Sequence, residues 1–283
     1  MLIIILAFRN ILRNKRRSLL TLLSMGGGFF LLCLTLSMSE GSYSNIIDIF
    51  TRDHTGHIQI HQGNYLERPS LYKTIKQADA LIELLESNSL VIGVAPRIYG
   101  PSLAYGKNKT FLAQVIGIDP IRESKTTRLK NKITQGVYLE DPISDEELSH
   151  QTLSKVGYYP AMIGYSLAKN LHLSLGDELV LISQGIDGSI ANDIFEITAI
   201  VGDANSHERM NVYLPLTAIQ EFLAMNTSSN NLVHELAITL TDQSQAREFA
   251  TKIQQGIVDK ELTVAPWQVV ESSFYNSMQA DKK

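Results

Sequence analysis

Between Arg17 and Glu40 the chain runs for 22 residues without a charge, SLLTLLSMGGGFFLLCLTLSMS. A helix of that length reaches about 33 Å, enough for a hydrocarbon core of about 30 Å. Hydroxyls at Ser18, Thr21, Ser24, Thr35, Ser37 and Ser39 can bond back to helix carbonyls, and Gly26, Gly27 and Gly28 let another helix approach closely. The pattern predicts a membrane span over 18–39 that packs against other spans. A signal peptide would have a shorter apolar core, and only Ser37-Met38-Ser39 offers a poor cleavage site. A buried core helix is the remaining reading, but such a helix rarely runs this far without a charge.

Upstream of the span, Ile4, Ile5, Phe8, Ile11 and Leu12 share one arc of a helical wheel, with Lys15 among them. Arg9, Arg13, Arg16 and Arg17 fall on the opposite arc, while Leu2 and Leu6 spoil the division. Residues 1–17 therefore read either as an amphipathic basic helix on the inner leaflet or as a solvated flank that only sets orientation. By the positive-inside rule, Arg9, Arg13, Lys15, Arg16 and Arg17 anchor the N-terminus in the cytoplasm. Everything from about residue 40 is then extracytoplasmic.

Beyond the span the periodicity alternates between 2 and 3.6. Residues 40–55 continue the helix as a stalk. GHIQIHQ alternates as a strand, KQADALIELLESNS reads as a helix, and LVIGVA and TFLAQVIGI read as strands. MIGYSLAKNL is predicted helical around Ser166, followed by a turn at Gly176-Asp177 and the strand ELVLIS. Gly185 and Asp187-Gly188 signal a turn before the strand DIFEITAIVG. The helix LTAIQEFLAMN, strand HELAITLT, helix QSQAREFATKIQQGI, strand LTVAP and an amphipathic segment from Trp267 complete the order. Short strands between helices suggest βαβ-type units, and the expected class is α+β with two subdomains.

Charge sharpens this picture. Residues 1–39 hold five cations and no acid, which leaves 20 basic against 29 acidic residues, a net of −9, in the remainder. So acidic a bulk argues against a nucleic-acid surface. The single cysteine, Cys33, excludes an internal disulfide and a cysteine-rich zinc site.

Catalytic chemistry is hard to find. There is no phosphate-cradling G-x-x-x-x-G-K-[ST], so the chain does not hold ATP by itself. Gly164-Tyr165-Ser166-Leu167-Ala168 lacks the second glycine of a nucleophile elbow, and there is no H-E-x-x-H. Asp53, His54, His57 and His61 form the best cluster. On a strand, however, His57 and His61 stand about 13 Å apart, too far to share a metal without a bulge, and they read as a polar strand face. Asp145-Glu146-Glu147 fits a solvated loop. No catalytic residue, metal ligand or cofactor is expected, although hydrolysis tied to Ser166 or the histidine cluster would reopen that question.

The start LAFRNILRNKRRSLLTLLSM resembles the first helix and span of the MacB/FtsX-like ABC permeases, which include the lipoprotein-releasing LolC/LolE permeases. GHIQIHQGNYL, VIGVAPRIYGPSLA and VIGIDP resemble the opening strands of their periplasmic core, with GHIQIHQGNYL favouring the LolE-like branch. MIGYSLAKNLHLSLGDELVLI and FEITAIVG resemble the inserted subdomain; VYLPLTAIQEFL and APWQVV resemble the return towards a second span. The resemblance implies a porter-like subdomain over 56–120 and 206–266, a Sabre-like insertion over 121–205, and a stalk over 267–283 leading to further spans past Lys283. It also implies transport work, with lipoprotein or other lipidated cargo. The partners would be a separate cytoplasmic ABC ATPase, a second permease copy or paralogue, a periplasmic carrier or adaptor protein, and membrane lipid. The alternative is a single-pass periplasmic scaffold or binding module that never joins an ATPase.

Overall fold

A computed structural model describes residues 13–139, 157–227, 230–257 and 259–281. The chain divides into two compact units, 1–49 and 50–283. In the first, helix α1 (Lys15–Phe50) begins; it is 36 residues long and long and apolar enough to cross a membrane. Of the hydroxyls expected to bond back, Thr21 and Thr35 donate to the carbonyl four residues earlier at 2.9 and 2.8 Å, and Ser42, beyond the predicted span, does the same at 2.8 Å. α1 runs to Phe50, and a single π-helical turn, Thr51–Thr55, follows at the start of the second unit.

The second unit is built on one twisted sheet. Its strands are β1 (Ile58–Gln62), β2 (Val91–Gly106), β3 (Lys109–Ile118), β4 (Ile133–Gly136), β5 (Tyr159–Gly164), β6 (Glu178–Gln184), β7 (Ile190–Val201), β8 (Asn211–Pro215), β11 (Glu235–Leu240) and β12 (Leu262–Pro266). The two-residue strands β9 (Asn226–Thr227) and β10 (Asn230–Asn231) pair apart from it. Across the sheet the order is β12-β1-β11-β2-β3-β8-β5-β7-β4, with β6 bridging β2 and β7. Among the described residues only β3/β8 and β5/β7 run parallel, so the βαβ units expected from the sequence give way to a mostly antiparallel sheet.

Short helices pack on the sheet: α2 (Ala78–Glu86), α3 (Pro120–Thr126), α4 (Tyr165–Leu171), α5 (Leu216–Phe222), α6 (Ala246–Gly256) and α7 (Trp267–Val270), and α8 (Ser272–Asp281) follows α7. The segment around Ser166 corrects the sequence reading. Met162–Gly164 completes β5 and the helix begins only at Tyr165, because three fully buried residues at 161–163 fit a strand covered on both faces. Helix–sheet contact is close where α5 lies on β3: a Cβ at Gly117 would fall on the Ile219 side chain.

The core near β3, β5 and β8 comprises Ile116, Ile118, Leu129, Leu139, Met162, Ala199, Val201 and Tyr213. Segments 56–120 and 206–266 contribute β1–β3, β8, β11 and β12, while 121–205 contributes β4–β7.

Candidate functional site

The polar face read along β1 is present, but it is buried rather than exposed. Ile58 and Ile60 enter the apolar core, and His57, Gln59 and His61 on the other face are buried as well. The reason is placement: β1 lies between β11 and β12, which arrive more than 170 residues later. Register then assembles a buried ionic row. His61 lies opposite Glu235, and Glu235 lies opposite Arg97, so three neighbouring strands point these side chains to one face.

Arg97 is the hub of that row. It makes a bidentate pair with Glu123 (Nε to Oε2 at 3.0 Å, Nη2 to Oε1 at 2.7 Å). Its Nη1 donates to Glu235 Oε1 at 2.9 Å and to the His54 carbonyl at 2.8 Å. Glu123 reaches this point because Asp119 caps α3, accepting from the Arg122 N–H at 2.9 Å, and Pro120 starts the helix. Burial alone would lower the Arg97 guanidinium; Glu123, Tyr99 and Glu235 reverse that and hold it well above the usual range. Tyr99 donates from its hydroxyl to Glu235, and burial next to that carboxylate raises the phenol.

The π-helical turn ends against this hub. Its own ring closes with the Gly56 N–H donating to the Thr51 carbonyl at 2.7 Å. Three further carbonyls of the turn find donors from the residues around it. The Arg52 carbonyl is capped by the Arg128 N–H at 2.8 Å, that of His54 by Arg97, and that of Thr55 by Gln59 Nε2 at 3.0 Å. Gly56 turns the chain at φ 69°, where a side chain would also crowd the Ile238 backbone at 3.0–3.4 Å. Lys132 bridges Asp53 at 3.2 Å and Glu208 at 2.6 Å.

The exit of the chain is fixed to the same strand. The Trp267 N–H donates to the His57 carbonyl at 2.9 Å, and Phe274 stacks on Phe50 with ring centroids 4.5 Å apart. Beside the joint opens a cleft of about 280 Å³, walled by His54, His61, Tyr65, Tyr99, Glu235 and Glu271. The His54 ring packs at a tilt against His207, 4.2 Å between centroids. Burial first, then Arg97, His207 and Lys132, lower the His54 imidazole well below its ordinary value. His61, Tyr65 and His234 form a stack at 5.1 and 5.5 Å. Among the described residues no set of three or more His, Cys, Asp or Glu could hold a metal ion.

The residues singled out by sequence lie elsewhere. Arg13, Lys15, Arg16 and Arg17 are exposed at the start of the N-terminal unit, and Arg9 lies outside the described residues, as does most of the amphipathic segment 1–17. Gly26, Gly27 and Gly28 lie along α1, where an added Cβ would meet nothing within 4 Å. Asp145-Glu146-Glu147 also lies outside the described residues, and Ser166 sits in the first turn of α4. Of the cluster Asp53, His54, His57 and His61, the structure brings all four to the joint, but as ties within it. Sequence reasoning missed Arg97, Glu123 and Glu235. Arg97 interrupts the otherwise apolar start of the strand VIGVAPRIYG, and a lone charge in such a run is the signal that was available.

Residues 18–256 match the family model described as the MacB-like periplasmic core domain. The fold is similar to the periplasmic region of MacB from Actinobacillus actinomycetemcomitans, at 16% identity and a TM-score of 0.52, covering 81% of this chain and 96% of that one. The extracellular domain of the noncanonic ABC-type transporter YknZ from Gram-positive bacteria also aligns, at 14% identity and a TM-score of 0.44, over 73% of this chain and 98% of that one. No curated protein matches the chain.

Proposed function

The chain belongs to the family of MacB-like periplasmic core domains, and from that membership we propose that it serves as a component of an ABC-transporter-type permease. On this reading α1 spans the bacterial inner membrane through residues 18–39. Arg9, Arg13, Lys15, Arg16 and Arg17 hold the N-terminus in the cytoplasm, and the sheet unit stands in the periplasm. A separate cytoplasmic ATPase supplies the work, since the chain has no phosphate-binding loop. A second permease copy or paralogue packs at Gly26–Gly28. The cargo is a lipoprotein or another lipidated molecule, passed to a periplasmic carrier or adaptor. The porter-like part takes in 56–120 and 206–266, the Sabre-like part 121–205, and 267–283 leads back to the membrane.

The observation that carries this reading is the double attachment of β1. The turn that ends the incoming helix is hydrogen-bonded to Gln59 of β1 and to Arg97 of β2, and the first residue of the outgoing helix to His57, the residue just before β1. Relative movement of the two helical segments must therefore load the sheet, which is what a force-relaying domain needs. Co-purification from solubilised membranes, with a tag on the product of the native locus, tests the proposal. Recovery of a nucleotide-hydrolysing subunit supports it; a tagged chain that never brings down an ATPase leaves a membrane-anchored scaffold instead.

A further inference from the structure

Hydrogen-bond direction fixes the protonation of two buried histidines at the joint. The Leu240 N–H donates to His57 Nδ1 at 2.9 Å, which ties the start of β1 to the end of β11. The Tyr99 N–H donates to His234 Nδ1 at 2.9 Å, and His234 Nε2 donates to the Leu71 carbonyl at 3.0 Å. A backbone N–H only donates, so each Nδ1 must keep its lone pair; an imidazolium, with a proton on both nitrogens, cannot accept. His57 is 3% exposed and His234 is 0% exposed, so water cannot stand in for the lost bond.

A third histidine, His54, is hostile to charge for another reason. Its ring packs at a tilt against His207, and the cations facing it are Arg97 from β2 and Lys132 from the turn before β4. The carboxylates around it are already engaged. Arg97 holds Glu123 and Glu235, and Lys132 holds Asp53 and Glu208. Glu271 and Tyr99 line the same cleft. His57 faces Asp242, and His234 faces His61 and Tyr65.

We propose that His54, His57 and His234 form an acid-sensitive latch: neutral, His54 and His57 hold the π-helical turn and the start of β1 against β2 and β11 while His234 joins β2 to the segment at Leu71, and on acidification they release the joint together. The bonds at stake are Leu240 to His57 and Tyr99 to His234, together with the packing of His54 that aligns its carbonyl with Arg97. Burial lowers both His54 and His234, consistent with rings that resist a second proton until the joint opens. The latch is a property of this domain and does not depend on whether an ATPase drives it.

Hydrogen exchange on the full chain in detergent tests the latch, following the peptide 50–62 from pH 8 to pH 5 and correcting for the intrinsic exchange rate. Protection should fall at least ten-fold between pH 7.5 and pH 5, with a steepness above one proton, while β5 stays protected. Glutamine offers an acceptor oxygen and does not titrate, so the combined His54→Gln, His57→Gln and His234→Gln variant should keep its protection at pH 5. His207→Gln, which removes the ring packed against His54, should move the midpoint to higher pH. A flat wild-type profile overturns the proposal, as does a triple variant with the wild-type profile. If the triple variant fails to fold at pH 7.5, the single variants decide: each should reduce the steepness, and three unchanged slopes overturn the latch.

Discussion

Replacing Arg97 by Met removes four hydrogen bonds and the cation that touches both Glu123 and Glu235. Both carboxylates are nearly inaccessible, with side-chain exposures of 2% and 5%, so water cannot take over. Breaking a buried ion pair from one side costs about 3–5 kcal/mol, because the remaining charge stays buried without compensation. In a unit of this size that corresponds to a fall in Tm of about 6–20 °C. Thermal unfolding of the full chain in detergent, followed by near-ultraviolet circular dichroism, reads this directly. The same reasoning makes a second demand. Arg97→Met combined with Glu123→Gln and Glu235→Gln removes the stranded charges and should recover more than half of the loss. A loss below about 1 kcal/mol for Arg97→Met, or a triple variant no more stable than the single, would refute the view that stranded charge sets the cost.

Three further outcomes follow from the packing and titration. Stability should be level above pH 6.5 and fall as pH drops below it, since the unfolded chain then binds protons that His54 and His234 refuse while folded. Each contributes about 1.4 kcal/mol per pH unit until its own folded value is reached, so these two add up to about 2.7 kcal/mol per unit to the slope seen in urea unfolding, and His54→Gln with His234→Gln should reduce the slope by that amount; a level profile between pH 6.5 and 5.5 contradicts it. Gly117→Ala drives a methyl group into Ile219 and should cost about 1–3 kcal/mol in the same assay, with no cost meaning that α5 can shift freely. Gln254 covers the free edge of β12, donating to the Leu262 carbonyl at 2.9 Å and accepting from the Val264 N–H at 2.8 Å. Gln254→Ala should therefore cost about 1–2 kcal/mol and increase self-association on size exclusion, whereas an unchanged elution and stability would show that the edge needs no cover.

Local patterns were legible where one element decides its own structure. The uncharged run before Glu40, the alternation of HIQIHQ and the helical spacing of ADALIELLE each found its expected element. What depended on partners far along the chain was not legible. His57, Gln59 and His61 read only as a polar strand face, and nothing in GHIQIHQ announces that β11 and β12 will flank and bury it. Arg97, Glu123 and Glu235 are separated by 26 and 112 positions, and only the sheet register and the start of α3 bring them together. The switch from strand to helix at Gly164 was hidden for a related reason, since a short apolar run suits a buried strand or a helix equally well. The candidate site was thus half visible: its histidines were seen, but their neutral, hydrogen-bonded roles required the fold.

Spin labels at Asn45→Cys and Asn276→Cys, in a Cys33→Ser background, would report on the incoming and outgoing helical segments of the chain assembled with the ATPase proposed above. A relay driven from the cytoplasm predicts that the distance distribution between the labels differs between the nucleotide-free and ATP-trapped states. Identical distributions in both states would contradict it.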